Sequence, residues 1–236
     1  MAPTTRHTPY FEVRDALTTE GCALCSLVLR SLNRYISALL YESVNSPPMR
    51  QRLRESYGFC AIHSEMVRVA RSASGAAIIQ RDLLQTLVRR LGEDQGVPSS
   101  WLEDLFRSPR ATKTTLLTPD STCAVCIIAE ERERDYADVL LPHLDDAEML
   151  AAFRQSSGLC LPHLRIALGR ALPAQAERLK AEQLVIWQRL IGELDEFIRK
   201  LDYRFSHEPM GLEGDAWIRA LALVAGAPQV MGSRVR

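Results

Sequence analysis

The sequence lacks net charge: 29 lysines and arginines stand against 29 aspartates and glutamates. That argues against the single-signed field used to bind nucleic acid or an anionic membrane surface, although a local patch remains compatible with it. It lacks any run of about 18 consecutive apolar residues, so no spanning helix is expected. Residues 1–14 are polar, without the apolar core of a secretory signal, and the expected location is cytoplasmic. No stretch shows the period-2 alternation of a strand. The G-x-S-x-G elbow, the Walker loop and the dinucleotide fingerprint are missing as well. Cysteine is scarce, with six residues, and in a reducing compartment an even count does not imply disulfides. What is plentiful is apolar side chain, at 47%, enough for a packed core and too much for general disorder.

The six cysteines fall in one pattern written twice. Cys22-Ala23-Leu24-Cys25 is followed by Cys60-Ala61-Ile62-His63, and Cys123-Ala124-Val125-Cys126 by Cys160-Leu161-Pro162-His163. Each copy is C-x2-C, a spacer of 34 or 33 residues, then C-x2-H. Paired cysteines with a histidine at ligand spacing point to metal. At the start of a helix such a step puts both side chains on one side of a turn, where free N–H groups and the helix dipole favour thiolate.

Read in order, residues 1–10 form a mobile arm, including a solvated His7, and Phe11–Leu17 a short helix. Helices follow from Cys22 to about Val44, Met49 to Tyr57, Cys60 to about Arg71, and Ala76 to Leu91, with Ser72–Gly75 as a turn. Val28, Leu32, Tyr35, Ile36 and Leu39 make a buried stripe on the first. Residues 93–120 read as a linker, holding three prolines and one short helix at 100–106. The pattern then restarts with helices Cys123–Leu141, Ala147–Gln155, Cys160–Leu172 and Pro173–Leu201, the last carrying Trp187, Leu190, Ile191, Leu194, Ile198 and Leu201 on one face. The fold class is all-α.

The halves match beyond the ligands. At an offset of 101, Cys22, Cys25, Tyr35 and Leu39 fall on Cys123, Cys126, Tyr136 and Leu140. At 100, Met49, Arg54, Ser56, Gly58, Cys60 and His63 fall on Met149, Arg154, Ser156, Gly158, Cys160 and His163, and Leu84, Arg89, Gly92 and Glu93 on Leu184, Arg189, Gly192 and Glu193. This implies an internal duplication: homologous four-helix units at 11–92 and 121–201, with a tail and capping helix at 202–226.

The expected metal ligands are Cys22, Cys25, Cys60, His63, Cys123, Cys126, Cys160 and His163. The repeat favours one Cys3His site within each unit. The halves can instead exchange ligands, Cys22 and Cys25 meeting Cys160 and His163. Four protein ligands close a zinc shell and mark a structural rather than a catalytic site. Two zinc ions (Zn) are the first reading. The apolar residues between the ligands also suit two 4Fe-4S clusters. Cysteines that are merely buried small hydrophobes are the bland alternative, and two matched sets at one spacing tell against it. His63-Ser64-Glu65 has the letters of a deaminase motif, but no P-C-x2-C follows.

In the tail, His207 with Glu208, Glu213 and Asp215 is a candidate polar site, more simply read as loop residues with Asp215 capping a helix at Ala216–Val224 that Gly226 closes. Trp217, Leu221 and Val224 form its apolar face, with Trp217 as a docking anchor. Arg50, Arg52 and Arg54 read as a solvated face.

G-F-C-x2-H and G-L-C-x2-H with paired C-x2-C, then Y-R-F-x-H-E-P and G-D-A-W, resemble an uncharacterised bacterial family of helical proteins, a domain of unknown function, from Cys22 to about Gly226. The resemblance implies a bacterial origin and no activity. The expected function is a binding or scaffold protein with two zinc ions and an unknown protein or small-molecule partner, without nucleic acid or membrane. The alternatives are an iron–sulfur redox or electron-transfer protein and an enzyme with a pocket between the halves or under the tail.

Overall fold

The structure, a computed structural model, describes residues 7–93, 117–205 and 207–231. Among them every regular element is helical. The elements are α1 (Thr8–Ala16), α2 (Ala23–Tyr41), α3 (Pro47–Glu55), α4 (Ala61–Val69), α5 (Ala73–Glu93), α6 (Ala124–His143), α7 (Ala147–Gln155), α8 (Leu161–Arg170) and α9 (Pro173–Lys200). Short 3-10 turns at Tyr203–Phe205 and Leu212–Asp215 lead to α10 (Ala216–Ala225) and α11 (Pro228–Met231). Most of the expected linker, 93–120, with its short helix at 100–106, lies outside the described residues. No helix among the described residues is long and apolar enough to cross a membrane.

Two compact units emerge, and they differ in extent from the sequence repeats. One takes the chain up to Ser31 together with Ala129–Met231; the other is built on Leu32–Ile128. Both divisions fall inside helices, so α2 and α6 each give their first turns to one unit and their remainder to the other.

In the Leu32–Ile128 unit, α3 and α4 pack on α5. Arg54 donates to Asp82 through Nε (2.8 Å) and Nη2 (2.7 Å), and Arg50 Nη1 lies 3.4 Å from the same carboxylate. Arg50 and Arg54 therefore tie α3 to α5, and only Arg52 of the expected solvated cluster is fully exposed. Ser72–Gly75, expected as a turn, is mostly the first turn of α5. Glycine is there for close approach: a β-carbon on Gly75 would lie 2.3 Å from the Leu40 carbonyl oxygen of α2.

In the other unit, α1 packs on α7, and α9 on α7 and α8. Residues 8–10 are helical rather than part of an arm, because Tyr10 is buried and its hydroxyl donates to Asp146 Oδ1 at 2.7 Å. Asp146 in turn caps α7, accepting from the Glu148 and Met149 amides. Arg154 donates to Glu182 in a bidentate pair at 2.7 Å, as Arg54 does to Asp82. The apolar face expected on α9 is only half covered: Trp187, Leu190 and Leu194 are half-buried, while Ile191, Ile198 and Leu201 are exposed. The apolar residues that α9 buries are Leu179 and Ile186, outside that face.

Gly75→Ala is expected to destabilise the Leu32–Ile128 unit by about 2–3 kcal/mol, since two helix backbones must separate to admit one methyl. Chemical denaturation followed by circular dichroism checks this. An unchanged midpoint would show that the α2–α5 approach is not tight.

Candidate metal centre

All four half-motifs begin a helix in the same way. The first cysteine stands just before the helix and its carbonyl accepts the first helical amide: Ser26 N on Cys22 O, Ser64 N on Cys60 O, Ile127 N on Cys123 O and Leu164 N on Cys160 O. Cys60 and Cys160 have nearly the same extended backbone, with φ of −65° and −67°. The second ligand of each half-motif comes three residues later, on the first turn. Gly58 and Gly158, at φ +87° and +71°, make the bend that aims Cys60 and Cys160 inward.

The eight side chains meet in two groups, Cys22, Cys25, Cys160 and His163, and Cys60, His63, Cys123 and Cys126. Within each group all ligand atoms lie within 4.8 Å of one another, and each group could hold a metal ion. This corrects the expectation of a site inside each repeat. Each C-x2-C is completed by the C-x2-H of the other repeat, and each resulting group falls wholly within one compact unit.

In the first group His163 Nδ1 lies 3.4, 3.3 and 3.2 Å from the sulfurs of Cys22, Cys25 and Cys160, and Cys25 Sγ is 3.7 Å from Cys160 Sγ. In the second His63 Nδ1 lies 3.3, 3.6 and 3.4 Å from Cys60, Cys123 and Cys126, and the Cys60 and Cys126 sulfurs are 3.8 Å apart. Zinc–sulfur and zinc–nitrogen bonds of ordinary length, set tetrahedrally, give edges of about 3.5–3.8 Å. The donor sets fit a single tetrahedral ion.

The electrostatics favour a cation. Burial opposes ionisation of Cys22, but hydrogen bonding from Cys160, Cys25 and His163 outweighs it and holds the Cys22 thiol well below its usual range. Cys25, facing Cys160 and Cys22 and buried, is pushed far up. Cys123 is lowered to about 3, chiefly by Cys126, while Cys126 is raised by Cys123. His163 is disfavoured as a cation by burial, yet Cys160, Cys22 and Glu133 raise it to about 11. A cation held at each centre would take the place of these protons.

Glu133 escapes a reading of motifs alone. It lies on α6, buried, with Oε1 3.4 Å from His163 Nε2, the nitrogen turned away from the sulfurs. The signal for it was a carboxylate seven residues after Cys126, where the other repeat has Leu32 seven residues after Cys25.

The tail residues do not converge. Glu208 pairs with Arg199, Asp215 with Arg219, and Glu213 with Lys200 and the Gly211 amide, which together hold Glu213 down at about 2. These acids fasten the tail, and His207 is exposed. Asp215 makes no side-chain cap to α10. Trp217, Leu221 and Val224 lie half-exposed or more, so α10 docks on α8 and α9 through its opposite side, where Ala216 is fully buried.

The chain matches the family of unknown function DUF6062 over residues 9–230 and belongs to it. It is 26% identical over 217 residues to the "Uncharacterized 23.9 kDa protein in xynA 3'region" of Caldicellulosiruptor sp. (strain Rt8B.4), covering 88% of this chain and 96% of that protein. No solved structure matches.

Zinc added to the metal-free protein at pH 7.5 is expected to release at least three protons per chain, from Cys25, Cys126 and His163, all protonated at that pH without metal. Because His163 keeps its proton up to about pH 11, apparent affinity rises with pH. Calorimetry in buffers of different ionisation enthalpy counts the protons; release of one or none would contradict the assigned ligands.

Proposed function

We propose that the chain is a binding or scaffold protein whose two Cys3His centres each hold one structural zinc ion. The observation that carries this is the ligand spacing of 3.2–3.8 Å, which suits one ion. A four-iron cube with one ligand per corner would spread its outer donor atoms to roughly 6 Å. Four protein ligands leave no open position for a bound water, as a catalytic zinc requires. Imidazole Nδ1 and three sulfurs are a borderline-soft set that zinc prefers over oxygen-seeking cations.

The duplication belongs to the same reading. The paired Arg54–Asp82 and Arg154–Glu182 bridges, Gly58 and Gly158, and the matched starts of α4 and α8 support two copies of one helical unit. These copies have exchanged their first half-motifs. The binding role is supported by the exposed face of α10, where Trp217, Ile218, Leu221 and Val224 recur at helical spacing.

Purified without oxygen, the protein is expected to carry two zinc ions per chain and no visible colour. Iron with acid-labile sulfide and absorption near 400 nm would replace this reading with the redox one. Paired variants test the exchange of ligands. Cys25→Ser with Cys160→Ser should still bind one zinc ion, and Cys25→Ser with Cys60→Ser none. Sites closed within each repeat would give the opposite result.

A further inference from the structure

We propose that Cys60 is an oxidative modification site. A hydroperoxide enters the cleft beside it and oxidises its sulfur, and Cys126 closes a disulfide that takes two ligands from the metal. This rests on the reading that the centre formed by Cys60, His63, Cys123 and Cys126 holds zinc.

An open cleft of about 520 Å³ leads to that centre. Its walls include Ser56, Phe59, Ser121 and Thr122 together with two of the ligands, Cys60 and Cys123. The volume lies in the range of small-molecule pockets, and all of these residues belong to the Leu32–Ile128 unit. Cys60 is half-buried, whereas Cys123 and Cys126 are buried, so the Cys60 sulfur is the one that a molecule in the cleft meets first. The Ser121 hydroxyl, in the same wall, is buried and makes no hydrogen bond. A buried polar group without a partner calls for one, and a peroxide oxygen, accepting from it, supplies one.

A zinc ligand cysteine is a thiolate, and coordination to a metal is one way of activating such a nucleophile. Cysteines that sense oxidants combine thiolate character and exposure with a second thiol in reach. Here the second thiol is Cys126, whose Sγ lies 3.8 Å from Cys60 Sγ; bonding closes such a gap to about 2.05 Å.

The chemistry balances in two steps. The Cys60 sulfur attacks one peroxide oxygen, the O–O bond breaks and the S–O bond of a sulfenic acid forms. The other oxygen leaves as water, or as an alcohol from an organic hydroperoxide, after taking a proton from solvent. The Cys126 sulfur then attacks the Cys60 sulfur, the S–S bond forms, and the sulfenic oxygen leaves as water with a second proton from solvent. Two thiolates are oxidised by two electrons and the hydroperoxide is reduced by two. The centre keeps only His63 and Cys123, too few ligands for a closed zinc site. The disulfide joins the starts of α4 and α6, from residues 66 apart in sequence, so these two helices stay linked after the metal is lost.

The test uses the full-length protein, purified without oxygen and carrying two zinc ions. It is treated with hydrogen peroxide and, separately, with cumene hydroperoxide. Remaining thiols are blocked with N-ethylmaleimide, disulfides are mapped by mass spectrometry, and 4-(2-pyridylazo)resorcinol reports released zinc. A Cys60–Cys126 disulfide is expected, with zinc released in step with it, and dimedone present during the reaction should label Cys60. Thr122→Trp fills the cleft without removing a ligand, and its two bound zinc ions would show that it folds. It should slow formation of the disulfide by cumene hydroperoxide about tenfold, the effect of a small added barrier. Any product that leaves Cys60 and Cys126 unlinked would overturn the inference and leave the zinc reading standing, as would an unchanged rate in Thr122→Trp. A purified protein holding iron or no metal would instead sink the zinc reading itself.

Discussion

Four helix starts, each presenting unpaired amides and a positive dipole end, have to be neutralised inside the protein. α2 and α8 bring theirs to one centre, α4 and α6 to the other. Thiolates answer the helix ends, and a cation would answer the thiolates. Leaving out the cation gives each centre a frustrated set of protonation states: at the first, a thiolate at Cys22, a thiol at Cys25 and an imidazolium at His163. The placement of the helices follows from this need, since a helix start cannot be buried facing another without something negative between them.

Chain entropy does little to choose the partners. Closing each site within its repeat spans 34 or 33 residues; the observed pairing closes 59 residues between His63 and Cys123, and 134 between Cys25 and Cys160. Loop closure grows only logarithmically, so the two schemes differ by under about 2 kcal/mol. Packing decides, and packing is not written in ligand spacing. That is why the eight cysteine and histidine side chains that come together were legible in the sequence as a set while their pairing was not. The same limit hid Glu133, which no motif contains and which only its place behind His163 makes meaningful.

Helices were legible because their signals are local. Ala147–Gln155 and the start of α9 at Pro173 fall where periodicity and proline place them. Local signals mislead where a residue serves a distant neighbour. Gly75 has the look of a turn but is the contact point of two helices. Tyr10 sits in what reads as an arm but reaches Asp146. Periodicity also reports a shared face without saying what covers it: Val28, Leu32, Ile36 and Leu39 of the α2 stripe are buried, while Ile191 and Ile198 of α9, equally regular, are exposed.

The turn before α8 that carries Cys160 is held in place by protein contacts alone. The Leu159 amide donates to Gln183 Oε1 at 2.9 Å, and Arg189 donates to the carbonyls of Arg154 and Ser156 at 3.1 and 2.7 Å. A β-carbon on Gly158 would meet the Gln183 side chain at 2.5 Å, so the turn and its brace fit each other closely. These bonds fix the turn that carries Cys160 and His163 without calling on a cation. Side chains already in position lose little freedom on binding, and that lowers the cost of forming the centre. Small zinc modules use the metal in place of a core. Here Tyr10, Phe153, Leu24 and Leu140 are fully buried in the same unit. A cation held at this centre would therefore clamp distant segments of an already packed unit, and its removal would act first on the helix starts it joins.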